Sequence, residues 1–186
     1  MTTSTLTIVP VASIAGQNPT AGDLHRAVMG LFPDGLGDRD THNILWRADG
    51  KRILVRSDIA PTVQNEAARS IPEPNIPFAS GDQVRFTLTI NPVLRHNQTV
   101  GPRVRRVETL TEAAPLVINK LALALHVEDI HSEVTWNTSR KGTPLAVTTV
   151  TGIATITDPD ELSHLLRHGV GRAKAFGCGL LTVLPA

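Results

Sequence analysis

The stretch "DPDELSHLLRHGVGRAKAFGCGLLTVLP", Asp158 to Pro185, decides how the chain is read. Its first third is a helix with both ends marked. Asp158 suits the N-cap, Pro159 the first helical position and Glu161 the third, while Gly169 suits the C-terminal stop. Leu162, Leu165 and Leu166 recur at helical spacing. "GLLTVLP" is a strand. Between them lies a loop carrying Gly169, Gly171, Gly177 and Gly179 beside Arg172 and Lys174. The order helix, loop, strand excludes a dinucleotide-binding fingerprint, which needs strand, loop, helix and has glycine where this chain has Lys174. No Gly-Lys-Ser/Thr ending is present, so a Walker loop is excluded too. Two readings stay open. A glycine-rich backbone with adjacent cations can lie close along a polyanion. Alternatively, Gly169 is a helix stop and Gly177 and Gly179 serve tight packing.

Outward from this stretch, the chain reads as two similar units. Upstream, "QVRFTLTINPV" alternates, with Val84, Phe86, Leu88 and Ile90 on one face and Arg85, Thr87 and Thr89 on the other. "GPRVRRV" is a basic segment. "LTEAAPLVINKLALAL" is a helix with Thr111 as its cap. "VEDIHSEVTWN" and "LAVTTVTGIATIT" are strands around the hairpin tip "TSRKGTP". With the terminal helix and strand this is β-α-β-β-α-β, the ferredoxin-like motif. The first unit repeats the order. "TLTIVPV" is a strand with Leu6 and Ile8 on one face. "TAGDLHRAVMGLF" is a helix, with Thr20 and Asp23 forming a capping box and Leu24, Val28 and Leu31 on its apolar face. "NILWRADGKRILVRSD" is a hairpin turning at Asp49-Gly50, a pair suited to a type I′ turn. A weak helix over Thr62 to Ser70 and a poor edge strand in the proline-rich "IPEPNIPFASGD" complete it. The fold expected is therefore α+β: two tandem ferredoxin-like (RRM-like, βαββαβ) domains, 1–80 and 81–186, the second carrying the glycine loop.

Composition bounds the rest. With 41% hydrophobic residues the chain can bury a core. No apolar run approaches the ~18 residues of a membrane helix, and "MTTSTLTIVPVAS" lacks a basic signal-peptide head, so a cytoplasmic protein is expected. One cysteine, Cys178, excludes an internal disulfide and a multi-cysteine zinc site. The net charge of +1 means that any nucleic-acid role must rest on local clusters. Aromatic residues at 3% argue against a base-stacking platform. His164 and His168 stand four apart on the last helix but lack a third ligand and read as a surface pair. His126 and His131 lie at a strand start and do not have the spacing of a helical metal pair. Cys178 reads as a small buried residue.

"GVGRAKAFGCGLL" resembles the C-terminal glycine-rich signature of the CRISPR-associated RNA endonucleases of the repeat-associated mysterious protein superfamily. "LHRAVMGLFPD", "ILVRSDIAP" and "VEDIH" narrow the resemblance to the type I-E CasE endoribonucleases. The resemblance runs from Asp23 to Leu181. It implies two tandem ferredoxin-like domains. It also implies that the chain binds the hairpin in each repeat of a CRISPR precursor RNA and cuts it without metal or cofactor. The 2′-hydroxyl attacks the neighbouring phosphate, leaving a 2′,3′-cyclic phosphate. The enzyme then stays on its product with the other subunits of the Cascade surveillance complex.

His25 matches the family's catalytic histidine. An imidazole with an ordinary pKa of ~6.5 can take or give a proton at neutral pH, worth roughly 10²–10⁴-fold. Without the resemblance, a lone histidine on an amphipathic helix reads as structural. Relatives often carry a tyrosine three residues before it. Here that position is Gly22, and the chain has no tyrosine. Lys174, Arg172 or Arg26 could instead stabilise charge on the phosphate. RNA-binding candidates are Arg26, the cluster Arg103, Arg105 and Arg106, the hairpin-tip pair Arg140 and Lys141, and Gly169, Gly171, Arg172 and Lys174 of the loop. Two rivals stay in view. One is a non-catalytic subunit that only holds the RNA hairpin. The other is a ferredoxin-like regulator that binds a small molecule.

Overall fold

The computed structural model describes all residues except 1–3, 17, 63–66, 99–100, 107–109 and 141–142. The chain runs through strand β1 (Thr5–Pro10), helices α1 (Val11–Ile14) and α2 (Ala21–Met29), then strands β2 (Leu45–Ala48), β3 (Arg52–Ser57) and β4 (Arg69–Pro72). Then come β5 (Gln83–Ile90), β6 (Val93–Gln98), β7 (Gly101–Arg106), α3 (Leu110–Leu121), β8 (Leu125–Arg140), β9 (Thr143–Ile156), α4 (Pro159–His168) and β10 (Leu181–Pro185). The strands form two four-stranded antiparallel sheets, ordered β2-β3-β1-β4 and β10-β5-β9-β8. In each, the unit's first strand lies between its third and its fourth, with the second at the edge. That is the ferredoxin-like order, twice.

Each sheet buries one face under its helices. Val9, Trp46, Ile53 and Val55 pack with Leu24, Val28 and Leu31 in the first core. Val84, Phe86, Leu88 and Ile90 pack with Val117, Leu121 and Leu162 in the second. The alternation expected for β5 is therefore correct. Along β1 the parity is reversed from the apolar pattern. Thr7 and Val9 face the core, whereas Ile8 is 44% exposed on the opposite face. Leu6 shares that opposite face and pairs with Arg56 and Ile71 on the neighbouring strands.

Other expectations are also corrected. The hairpin turn has positive φ at Gly50 (87°), while Asp49 is not among the positive-φ residues, so a type I′ turn is not formed. Instead Asp49 caps the turn: its N–H donates to the Arg52 carbonyl and its carboxylate accepts from the Lys51 and Arg52 N–H groups. Of the helix expected over Thr62 to Ser70, residues 63–66 lie outside the described residues. Arg69 and Ser70 belong to strand β4, paired with Ile8 and Thr7 of β1. Thr111 is the second residue of α3, not its cap, and the helix stops at Leu121, because Leu125 already pairs with Ile156. The basic segment is strand β7 of an additional hairpin with β6, in register from Val93↔Arg106 to Gln98↔Gly101. Strands β8 and β9 extend into the expected tip, with Arg140 opposite Thr143.

Candidate active site

Helix α2 is positioned by its N-terminus and its apolar face. The Thr20 hydroxyl accepts from the Asp23 N–H at 3.2 Å, and the Asp23 carboxylate accepts from the Thr20 N–H at 2.9 Å, the reciprocal capping box. The hydrogen bonds from Thr20, reinforced by Arg26, hold the Asp23 carboxyl below the usual carboxylate range. Leu24 and Val28 are buried on one face of the helix, and His25 lies at the edge of that face. His25 therefore sits half-buried at the flank of an anchored helix.

The glycine loop comes to meet it. Helix α4 has the ends expected: the Asp158 carboxylate accepts from the N–H groups of Asp160 and Glu161, both at 3.0 Å. Gly169 stops the helix at φ 75°, its N–H donating to the Leu165 carbonyl. The chain then forms a 3-10 turn, Lys174–Phe176, which rests against α2 and β2. The Phe176 ring lies 6.3 Å from the His25 ring, centroid to centroid, inclined by 49°. Beneath the turn, a Cβ at Gly177 would come within 2.8 Å of the buried Trp46 ring. The sequence offered little to single out Phe176 and Trp46. The one signal is a large apolar residue inside a glycine run.

The packing reading of the glycines holds at three positions. Gly169, Gly177 and Gly179 serve packing, against Leu45, Trp46 and the Val170 backbone. Gly171 and Arg172 are exposed. The N–H groups of Gly169, Val170, Phe176, Gly177 and Gly179 are hydrogen-bonded within the fold. Among the described residues, Gly171 to Ala175 contribute no N–H to it, which leaves a short arc of donors beside the Arg172 side chain.

The remaining candidates stand on several elements. The Lys174 ammonium donates to the His168 carbonyl and so ties the loop to the end of α4. The Arg26 guanidinium is 79% exposed and pairs with Asp23. Arg103, Arg105 and Arg106 stand on β7, and Arg140 ends β8. Lys141 lies outside the described residues. His164 and His168 are exposed, with ring centroids 4.7 Å apart. Among the described residues no group of three His, Cys, Asp or Glu side chains could hold a metal ion. Cys178 is buried, and burial pushes its thiol up to about 12.

Arg56 and Arg47 are among the arginines that join the units. Arg56 donates from one nitrogen to the Leu166 carbonyl at 2.7 Å and the Leu181 carbonyl at 2.8 Å, and pairs with Glu73. Arg47 donates to the Thr182 hydroxyl at 2.9 Å, and burial pushes its guanidinium down to about 10. The His25 helix of one unit and the glycine loop of the other are thereby held in one frame.

Residues 4–185 match a family model described as CRISPR associated protein. The chain is also 32% identical over 184 residues to the CRISPR system Cascade subunit CasE of Escherichia coli K12, covering 87% of this chain and 90% of that one. The chain belongs to the CasE family. CasE-like folds recur among solved structures. The Cas6e crystal structure from E. coli K-12 superposes with a TM-score of 0.75 at 23% identity, over 98% of this chain and 100% of that one. Thermus thermophilus Cse3, bound to an RNA representing a pre-cleavage complex, superposes at 0.76 and 22%, over 98% and 100%. The described residues of this CasE chain hold no helix long and apolar enough to cross a membrane.

Proposed function

We propose that this chain is a metal-independent endoribonuclease that binds CRISPR repeat hairpins in precursor RNA, cleaves them and remains on the product as a Cascade subunit in the cytoplasm. The E. coli CasE relative is a CRISPR system Cascade subunit, and Cse3 was solved bound to an RNA representing a pre-cleavage complex. The observation that carries the reading is the meeting of His25 with the glycine loop. A proton-transfer group and a phosphate-binding backbone stand side by side, one from each unit (1–80 and 81–186).

The reaction needs no more than these parts. The 2′-oxygen attacks phosphorus in line as the bond to the 5′-oxygen breaks. One proton leaves the 2′-hydroxyl and one reaches the departing oxygen. His25 serves one of these transfers. The free N–H groups of Gly171 to Ala175, with Arg172 and Lys174, stabilise the charge that builds on the phosphate. Arg103, Arg105, Arg106, Arg140 and Lys141 hold the stem, since A-form RNA is gripped mainly by its backbone and shape.

The test is the chain's own repeat hairpin, incubated in EDTA with and without a 2′-deoxy substitution at the cut site. The reading expects cleavage of the all-ribose RNA, a 2′,3′-cyclic phosphate end, and none from the deoxy RNA. Gly22, standing where relatives often have tyrosine, favours one second reading: a subunit that binds the hairpin without cutting it. Binding without any cleavage would establish that instead. A small-molecule regulator predicts no binding at all.

A further inference from the structure

Phe176 closes the 3-10 turn of the glycine loop, and its place is set by backbone rather than by side-chain freedom. Ala173 enters the turn at φ 61° and Gly177 leaves it at φ 81°, both left-handed. Gly177 passes directly under the Trp46 ring, where no side chain fits. Gly179 donates its N–H to the Thr89 carbonyl at 2.6 Å, and the Lys174 ammonium clamps the loop to the end of α4. The result is an aromatic ring held at a fixed height above α2, facing the His25 imidazole at 6.3 Å.

Leu24 and Val28 fix the helix that carries His25, but they do not fix the two torsions of the imidazole itself. The Phe176 ring stands beside it, inclined by 49°. We infer that Phe176 is a positioning residue for His25, an aromatic wall that limits the imidazole to the rotamer productive for proton transfer. This rests on His25 being the proton-transfer group and deepens that reading. The loop then has two faces. Its exposed arc at Gly171 and Arg172 takes the phosphate, and its inner turn sets the histidine. Gly177 follows Phe176 directly, and a Cβ there would meet the Trp46 ring at 2.8 Å.

The test compares single-turnover cleavage and hairpin affinity for wild type, Phe176→Leu, Phe176→Tyr, His25→Ala and the double variant His25→Ala/Phe176→Leu. A misplaced reacting group costs on the order of 10²-fold. Phe176→Leu should slow cleavage by about 10- to 100-fold with the dissociation constant within about twofold, and Phe176→Tyr, which keeps the ring, should cleave within about threefold of wild type. In the His25→Ala background Phe176→Leu should add no further loss. The His25 Cε1–H proton resonance should move in Phe176→Leu and hold in Phe176→Tyr. The inference is overturned if Phe176→Leu cleaves at the wild-type rate. It is equally overturned if that variant slows the His25→Ala enzyme by the same factor as wild type, or weakens binding as much as it slows cleavage. If His25→Ala itself cleaves normally, the reading of His25 falls and this inference falls with it. If only Phe176→Leu is neutral, His25 stands and Phe176 does not.

Discussion

The Arg56 guanidinium donates to the backbone carbonyl of Leu181 at 2.8 Å, across 125 residues of chain. The same buried side chain, 4% exposed, reaches the Leu166 carbonyl and pairs with the Glu73 carboxylate. One residue of the first sheet thus satisfies the end of α4 and the start of β10. The glycine loop is the segment strung between those two points. Whatever holds α4 and β10 against the first unit also sets where the loop meets His25.

Truncating Arg56 to Ala leaves two carbonyls and a carboxylate without their partner. Breaking a buried pair in this way costs about 3–5 kcal/mol. At roughly 2–4 °C per kcal/mol for a chain of this size, the melting temperature should fall by roughly 6–20 °C. Thermal denaturation followed by circular dichroism measures it, and a fall under about 2 °C contradicts the clamp.

The glycines of the loop should differ from one another. At Gly177 a Cβ meets the Trp46 ring at 2.8 Å, whereas at Gly171 it meets only the movable end of Lys120, at 3.1 Å. Both have positive φ, so each alanine carries a left-handed strain of about 1–2 kcal/mol. Gly177→Ala adds a clash that Gly171→Ala does not. Urea denaturation should therefore find Gly177→Ala the less stable of the two, and equal midpoints would count against the packing described.

Burial that pushes the Cys178 thiol up to about 12 has two consequences. The unfolded chain ionises its thiol near the ordinary value and the folded chain does not. Stability from this group is therefore complete below the ordinary thiol range and is lost as pH rises beyond it. The native thiol should also ignore a thiol reagent at pH 8 and react fully once the chain is unfolded in guanidinium. Rapid labelling of the native protein would contradict the burial.

The Asp23 carboxyl is held below its ordinary value by Thr20. A lowered folded pKa means that stability is present above the unfolded value and lost as pH falls through the folded one. Asp23→Asn should therefore melt below wild type at pH 7, and the gap should shrink as the pH is taken below about 4. A gap that does not change with pH would show that the charge on Asp23 plays no part in the cap.

Much of this was readable in the chain itself. The Thr20/Asp23 box, the two ends of α4 and the alternation of β5 are local patterns, and local chemistry made them. What was hidden depends on partners distant in sequence. The parity of β1 could not be read from Leu6 and Ile8, because the face they occupy turns towards Arg56 and away from the helices. "AARS" favours a helix by propensity, yet Arg69 and Ser70 pair with β1, because an antiparallel edge was open there. The β6–β7 hairpin escaped notice because its strands mix polar and charged residues without a clean alternation. At the site, His25 drew attention only through its family resemblance. Phe176 drew none, since its role comes from a meeting between units that no spacing along the chain foretells.

The most direct test of the central claim is the single-turnover cleavage rate of His25→Ala on the repeat hairpin, with the hairpin dissociation constant measured in parallel. The account expects cleavage to fall by at least about 10²-fold while binding changes little. Cleavage by His25→Ala at the wild-type rate would contradict it, and would move the proton-transfer chemistry away from α2 altogether.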